Sequence, residues 1–293
     1  MAIAFRSATE AGTPSAGTTL VINVPSGVQD DDLLLLACCT SDGDTGSVSP
    51  NGSWTQIVNN LNTGGSAPSP PGISVFWRIA SSEPASYTIT DTESSGISGQ
   101  MLCFTGVDTT TPIDVTTTTA TGDSTNANPP SINYADSGAA IVVGSVWDST
   151  TAVFSAVPSG FTSPDGLGAV TGNGGGNGHT MYTAYNLSPT AAPYDPPACT
   201  SSTEQWAAFT VALRPGVVYT AEQDSFRFED DDGSESGSTF LEAQNTDISI
   251  AKETNFRVRV GGQFVNDPPA MAATLQVKET SDAATEWKTI GTS

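Results

Sequence analysis

Residues 30–44 read DDDLLLLACCTSDGD, and residues 139–150 read AAIVVGSVWDST. In each, a run of apolar side chains as long as one strand is bounded by acids, Ser and Gly. In the first, both alternating sets of positions are apolar, so it predicts a strand buried on its two faces; the second matches it as a strand. In the first, Asp30-Asp31-Asp32 supplies the polar turn that feeds Leu33 to Leu36.

The two runs head a longer correspondence with an offset of about 106 residues. The phrase VSPNGSWTQI from Val48 answers to AVPSGFTSPD from Ala156, with an aromatic after Pro and Gly in both. ISVFWRIASSEPASYTIT from Ile73 answers to HTMYTAYNLSPTAAPYDPP from His179, and SGQMLCFTGV from Ser98 to EQWAAFTVALRP from Glu204. Four blocks in one order identify an internal duplication, with copies over about 18–115 and 129–214. In the first copy, alternation predicts strands at Leu20–Val24, Leu33–Cys39, Ile73–Ala80, Tyr87–Thr90 and Met101–Thr105. The expected fold is all-β: a jelly-roll-like antiparallel β-sandwich built from the duplication, as one large sandwich or two small ones. The tracts Thr109 to Asn128 and Gly172 to Gly178 are expected as loops, and Pro129-Pro130 marks the entry to the second copy.

Arg214-Pro215-Gly216 carries turn chemistry, after which the composition shifts toward charge. The expected division is 1–216 for the duplicated region and 217–293 for a small C-terminal β-domain. Its strands are expected at Ser225–Phe228, Asp247–Ile250, Asn255–Val260, Ala273–Lys278 and Trp287–Ile290. Phe256, Val258 and Val260 alternate with Arg257 and Arg259, which predicts a half-buried strand with a cationic outer face.

Charge narrows the function classes. The chain has 293 residues and a net charge of −22, with only Arg6 and Arg78 as cations before residue 214, against 17 acids there. Such a surface repels phosphate backbones, so nucleic-acid binding is excluded. The N-terminal stretch lacks the cationic segment and apolar run of a secretory signal, and no stretch reaches the ~18 apolar residues of a membrane span. Synthesis in a cytoplasm without membrane insertion is expected. Cys38, Cys39, Cys103 and Cys199 form no CxxC pair; Cys38 and Cys39 would point to opposite faces of a strand, and all four read as buried hydrophobes.

Groups that could carry chemistry are sparse. The single histidine, His179, has no GxSxG elbow to serve and no second histidine for a zinc site, and reads as an exposed residue at a loop edge. Asp91, Glu93, Asp148 and Glu204 lie near strands, where two carboxyls could flank a sugar. The run Glu229 to Glu235 fails as an EF-hand loop, because Gly233 at the sixth position would put Phe228 first and Thr239 twelfth. It reads instead as a hairpin turn whose acids, Asp230 to Glu235 among them, sit near Arg227, Arg257 or Arg259. Gly174 to Gly176 lacks the Lys-Ser/Thr of a phosphate loop. Trp54, Trp77, Trp147, Trp206 and Trp287 sit in apolar strand patterns and read as core before they read as a sugar platform. No catalytic residue, cofactor or metal ligand is assigned.

At GVQDDDLLLLACCTSDGD, SPNGSWTQI, ISVFWRIASSEPASYTIT, LCFTGVDTTTPID and WAAFTVALRP the chain resembles a group of phage and prophage virion-associated proteins. SFRFEDDDGSESGSTFLEAQNTDISIAKETNFRVRV, from Ser225, similarly resembles a small module appended to many phage structural proteins. The resemblance covers nearly all of residues 18–290 and implies a non-enzymatic structural protein on the virion surface. The expected location is a capsid decoration that contacts the major capsid protein or other virion proteins. The alternative is a tail-associated adhesin that recognises host surface glycans through loops such as Gly172 to Gly178. A homo-oligomer, a trimer among the options, is expected for a subunit on a symmetric particle. The second copy departs from the pattern, with Phe161 in place of Trp54 and no Trp-Arg pair, so a site built on those residues would not be duplicated.

Overall fold

The computed structural model describes residues 2–43, 45–64, 70–150, 156–173, 178–217, 220–231, 239–248, 256–265, 276–277 and 288–289. Contacts divide the chain into Met1–Gly216 and Val217–Ser293. The described residues are strands and connections apart from a single 3-10 turn at Pro164–Gly166, so the protein is an all-β sandwich with a small C-terminal β unit.

The first copy contributes β1 (Ala4–Gly12), β2 (Gly17–Asn23), β3 (Leu33–Thr40), β4 (Val48–Pro50), β5 (Thr55–Asn62), β6 (Gly72–Ile79), β7 (Ser86–Ser95) and β8 (Ile97–Thr105). They form two sheets, β1-β8-β3-β6-β5 and β2-β7-β4. The nested antiparallel pairs β1·β8, β2·β7 and β3·β6 are those of a long hairpin rolled on itself, the jelly-roll topology. A fourth nested pair would join β4 to β5. Instead β4 stops after three residues at Pro50, which has no N–H to donate, and β5 pairs with β6.

The second copy contributes β9 (Thr118–Ala127), β10 (Ala140–Trp147), β11 (Val170–Asn173), β12 (Gly178–Asn186) and β13 (Cys199–Leu213). Their order, β9-β13-β10-β12-β11, repeats β1-β8-β3-β6-β5 position for position. The three-stranded companion sheet is not repeated. At its place the described chain makes one bridge, in which Ile132 and Tyr194 exchange N–H···O bonds of 2.9 Å. Pro129, Pro130, Pro189, Pro193, Pro196 and Pro197 crowd these segments and deny a ladder its donors.

The two five-stranded sheets pack face to face. Leu33, Leu35, Ala37 and Cys39 of β3 share one core with Ala140, Val142 and Val146 of β10, Met181 and Tyr185 of β12, and Phe209 and Val211 of β13. The opposite set, Leu34, Leu36 and Cys38, packs under β2-β7-β4 with Ile22, Ile89 and Met101. On the far side of the second copy, Ile141, Val143, Trp147 and Tyr182 are covered by Tyr134, Phe161 and Tyr194. The arrangement is therefore neither two separate sandwiches nor one plain one: three sheets are stacked, and the first copy's large sheet is shared between two cores. Each leucine of β3 is fully buried, worth about 1.5–3 kcal/mol apiece.

Two expectations need correcting. Aligning the copies by ladder partners and by the face turned inward sets Leu33 against Ala140, Ile73 against Met181 and Leu102 against Val211. The sequence offset had set Leu33 against Ala139, one residue early, and a one-residue slip exchanges the two faces of a strand. The tract Thr109 to Asn128 is not all loop, because β9 occupies much of it. Its threonines are β-branched and suit a pleated surface, and the Trp206 ring lies so close over Gly122 that a Cβ there would sit 2.4 Å from it.

The linker between copies is pinned to the end of β13. Arg214 bonds Asp114 at 3.1 Å and Asp136 at 3.2 Å. Burial opposes ionisation of Asp114, but the amides of Ala135 and Asp136 together with Arg214 outweigh it and hold the carboxyl below its usual range. In the C-terminal unit, β14 (Thr220–Asp230) pairs with β15 (Phe256–Val265), and β16 (Gln276–Val277) with β17 (Lys288–Thr289). The alternation in β15 is present, yet Phe256 and Val260 are exposed. A two-stranded ribbon supplies no second layer to cover them. The expected strand at Asp247–Ile250 is irregular at 247–248, and its remainder lies outside the described residues, as does Trp287.

Gly144 faces the shared core, where an added Cβ would lie 2.5 Å from the Phe209 ring and 2.9 Å from the Tyr182 carbonyl. Gly144→Ala is expected to lower stability by about 1–3 kcal/mol through overpacking. Urea unfolding followed by tryptophan fluorescence measures it; an unchanged midpoint would mean that the sheets can part without cost.

Candidate functional site

His179 is the main departure from expectation. It lies on β12 and is wholly buried, not at an exposed loop edge. Alternation in β12 turns His179 toward the first copy with Met181, Thr183 and Tyr185. There Ser98 Oγ lies 2.6 Å from Nε2, and Ser41 Oγ 3.0 Å from Nδ1. Next to it, Thr183 donates to Gln100 Oε1 at 2.8 Å, and Gln100 donates to Glu10 at 2.9 Å and to the Gly168 carbonyl at 2.9 Å. One end of the core between the copies is thus a polar seam.

The seam closes because glycines let the backbones meet. A Cβ on Gly12 would fall 2.1 Å from the Thr171 carbonyl, one on Gly96 2.7 Å from Gly172, and one on Gly172 2.5 Å from the His179 ring. Across this closure the Asn173 N–H bonds the Thr13 carbonyl at 3.0 Å. A serine hydroxyl on a neutral imidazole is the start of a nucleophilic relay. Here the third member is another hydroxyl, among the described residues no carboxylate bonds the ring, and Ser98 and Ser41 are buried like the histidine. The arrangement serves as a satisfied internal joint between the copies.

The carboxylates considered for sugar chemistry fall into two separate places. Asp91 is buried on β7 and accepts hydrogen bonds of 2.6 Å from Thr40 and from Ser95, while Glu93 is exposed nearby. Asp148 and Glu204 lie together in the second copy, where the Asp148 N–H bonds the Gln205 carbonyl at 3.0 Å. Burial raises the Asp148 pKa; burial, then repulsion from Asp148 and Asp123, raises that of Glu204.

Residues of the phrases SPNGSWTQI and ISVFWRIASSEPASYTIT converge in the first copy. The Arg78 guanidinium sits 5.7 Å from the Trp54 ring centre and 5.4 Å from that of Tyr87, and pairs with Glu83 at 3.0 Å. The Tyr87 hydroxyl also donates to Glu83, and Trp54 meets Tyr87 edge-on. Glu83 borders a cleft of about 390 Å³ between residues 24–30 and 82–85, with Val24, Val28 and Pro84 as apolar wall and Gln29, Asp30 and Ser82 as polar rim. Three backbone positions with positive φ shape its loops, at Gly27, Asp31 and Ser82, and the Ser82 N–H is fixed to Asp30 at 2.8 Å.

All three arginines of Met1–Gly216 are ion-paired: Arg6 to Asp32 at 2.6 Å, Arg78 to Glu83, and Arg214 to Asp114 and Asp136. The four cysteines are buried, with Cys38 and Cys39 in different cores; burial, then the charge of Asp32, pushes Cys103 up to about 12. Trp147 and Trp206 are core residues, and Trp54 and Trp77 pack against cores while half-buried. In the C-terminal unit Asp231 pairs with Arg257 at 2.9 Å and Glu229 with Arg259 at 2.6 Å, whereas Arg227 lies 3.7 Å over the Phe240 ring. Positions 232–235 of the acidic turn and 174–177 of the glycine tract lie outside the described residues. Among the described residues no cluster of three or more His, Cys, Asp or Glu could hold a metal. No protein-family model, curated protein or solved structure matches the chain.

Burial lowers the His179 pKa from its ordinary 6.5 to about 3. Above pH 6.5 the ring is neutral in both folded and unfolded chains. As pH falls below that value, the unfolded chain takes up a proton that the folded one refuses, so stability drops until about pH 3. His179→Gln is expected to flatten this part of a pH–stability curve from urea unfolding. A slope identical to that of the parent would contradict the burial.

Proposed function

We propose that the chain is a non-enzymatic structural component of a bacteriophage virion, a decoration on the capsid surface that binds the major capsid protein or another virion protein and acts as a homo-oligomer. One observation carries this reading: the histidine, the arginines and the thiols of the body are spent on holding it together. The lone histidine joins the two copies, every arginine of the body is ion-paired, and the thiols are buried. What is left outside is an acidic exterior without lysine across residues 1–216, suited to keeping crowded copies apart in solution. The sequence resemblance supplies the virion context, and its Trp54, Arg78 and Tyr87 form a clamp that stiffens one end of the jelly roll.

A second reading, a tail-associated adhesin for host glycans, is favoured by the cleft beside Glu83. Its apolar wall and its Gln29, Asp30 and Ser82 rim match a hydroxyl-rich sugar ring with one apolar face. Quantitative mass spectrometry and imaging of purified particles separate the two. Decoration predicts copies in the tens to hundreds spread over the capsid; a few copies confined to the tail tip overturn it. Glycan-array binding that Asp30→Ala abolishes would establish the adhesin.

A further inference from the structure

Among the described residues of Met1–Gly216, one large hydrophobic side chain is exposed: Val21, at 58%. It lies at the centre of β2, an outer strand of the β2-β7-β4 sheet. The Val24 N–H bonds the Ala85 carbonyl, and the ladder continues through Ile22 opposite Tyr87 and Leu20 opposite Ile89. In an antiparallel pair the backbone groups of alternate residues point the other way. Thr19, Val21 and Asn23 therefore aim their N–H and C=O groups at the open side, where the Asn23 carbonyl accepts the Thr9 hydroxyl at 2.6 Å. Thr19 and Val21 are left presenting a donor and an acceptor each.

The other outer strands of Met1–Gly216 are guarded in the ways edges usually are. β1 bends at an irregularity between Phe5 and Ser7, and Asp165 takes its Ala8 N–H at 2.6 Å. β5 breaks register twice and has Asn60 at φ 42°. β4 has three residues and ends in proline, β11 has four, and β9 carries Asp123 near its middle. β2 is covered only at its end, where Thr9 takes the Asn23 carbonyl, and from Ala11 to Gln29 the sequence holds no charged residue. The sheet face beside Val21 is uncharged at Thr19, Asn23, Ser49, Thr88 and Thr90, and the nearest exposed carboxylate of these strands, Glu93, lies at the register break near the start of β2.

We propose that β2 pairs antiparallel with β2 of a second copy about a two-fold axis at Leu20, which joins the two three-stranded sheets into one of six strands. Thr19 of each copy then stands opposite Val21 of the other, and the four outward backbone groups per copy close four hydrogen bonds across the axis. Val21 gains the Thr19 methyl as a neighbour. Charge selects a second copy as the occupant: two chains of net charge −22 repel wherever carboxylates meet, and this edge brings uncharged residues onto uncharged residues. The contact is isologous, so it closes at a dimer and builds no three-fold ring.

Sedimentation velocity on the full chain across the micromolar range tests the pairing. The expected result is a dimer that grows with concentration, is lost in Val21→Asp, where two carboxylates would flank the axis, and is lost in Val21→Pro, which removes an outward N–H and no bond to β7. Both variants should keep the parent's circular-dichroism melt. Should the proline variant fail to fold, Thr19→Asp takes its place. A monomer at all concentrations, a trimer, or a dimer that survives Val21→Asp overturns the proposal. Particle location is read separately, so this pairing and the virion assignment can fail independently.

Discussion

Burial of β3 and β10 on both faces is the constraint from which the remaining architecture follows. A strand such as Leu33–Thr40, with every side chain inside, needs a layer above and a layer below. The first copy meets one need with its own β2-β7-β4 sheet and the other with the second copy. The second copy has the same need in Ala140–Trp147, but its proline-rich connections cannot build a companion sheet. Folded segments bearing Tyr134, Phe161 and Tyr194 cover it instead. Neither five-stranded sheet could face water on its inner side, so the copies fold as one unit.

Within that interface apolar and polar ends are segregated. At one end Phe5, Phe104 and Tyr185 meet ring to ring. At the other, Ser41, Ser98, His179, Gln100 and Thr183 pair among themselves. Hydrophobic contact alone tolerates sliding, whereas a hydrogen-bonded seam has one register in which its members are satisfied. The seam thus fixes how the copies sit on each other, while the apolar end supplies most of the driving force.

Much of this was legible in the residues. Leu33 to Cys39 reads as a doubly buried strand because nothing polar interrupts it, and the repeat is visible because Pro-Gly-aromatic and Trp or Phe landmarks recur in order. The site was less legible. His179 follows a glycine tract, and glycine reads as loop; Gly172 instead marks backbones in contact, a property of the facing chain segment that local sequence does not record. Ser41 and Ser98 carry no signal of their own, since only the fold brings residues so far apart to one imidazole. β9 was hidden by composition, its threonines reading as low complexity although each suits a strand. The register of the repeat slipped because insertions in the connections accumulate, and parity is restored only by seeing which face is covered.

The first lysine of the chain is Lys252, and the bond after Arg214 leads into Pro215. Arg6 and Arg78 are both half-buried within strands. A proteinase that cleaves beside cations therefore finds almost no usable bond in the folded sandwich, and reagents that seek side-chain amines mark only the C-terminal unit.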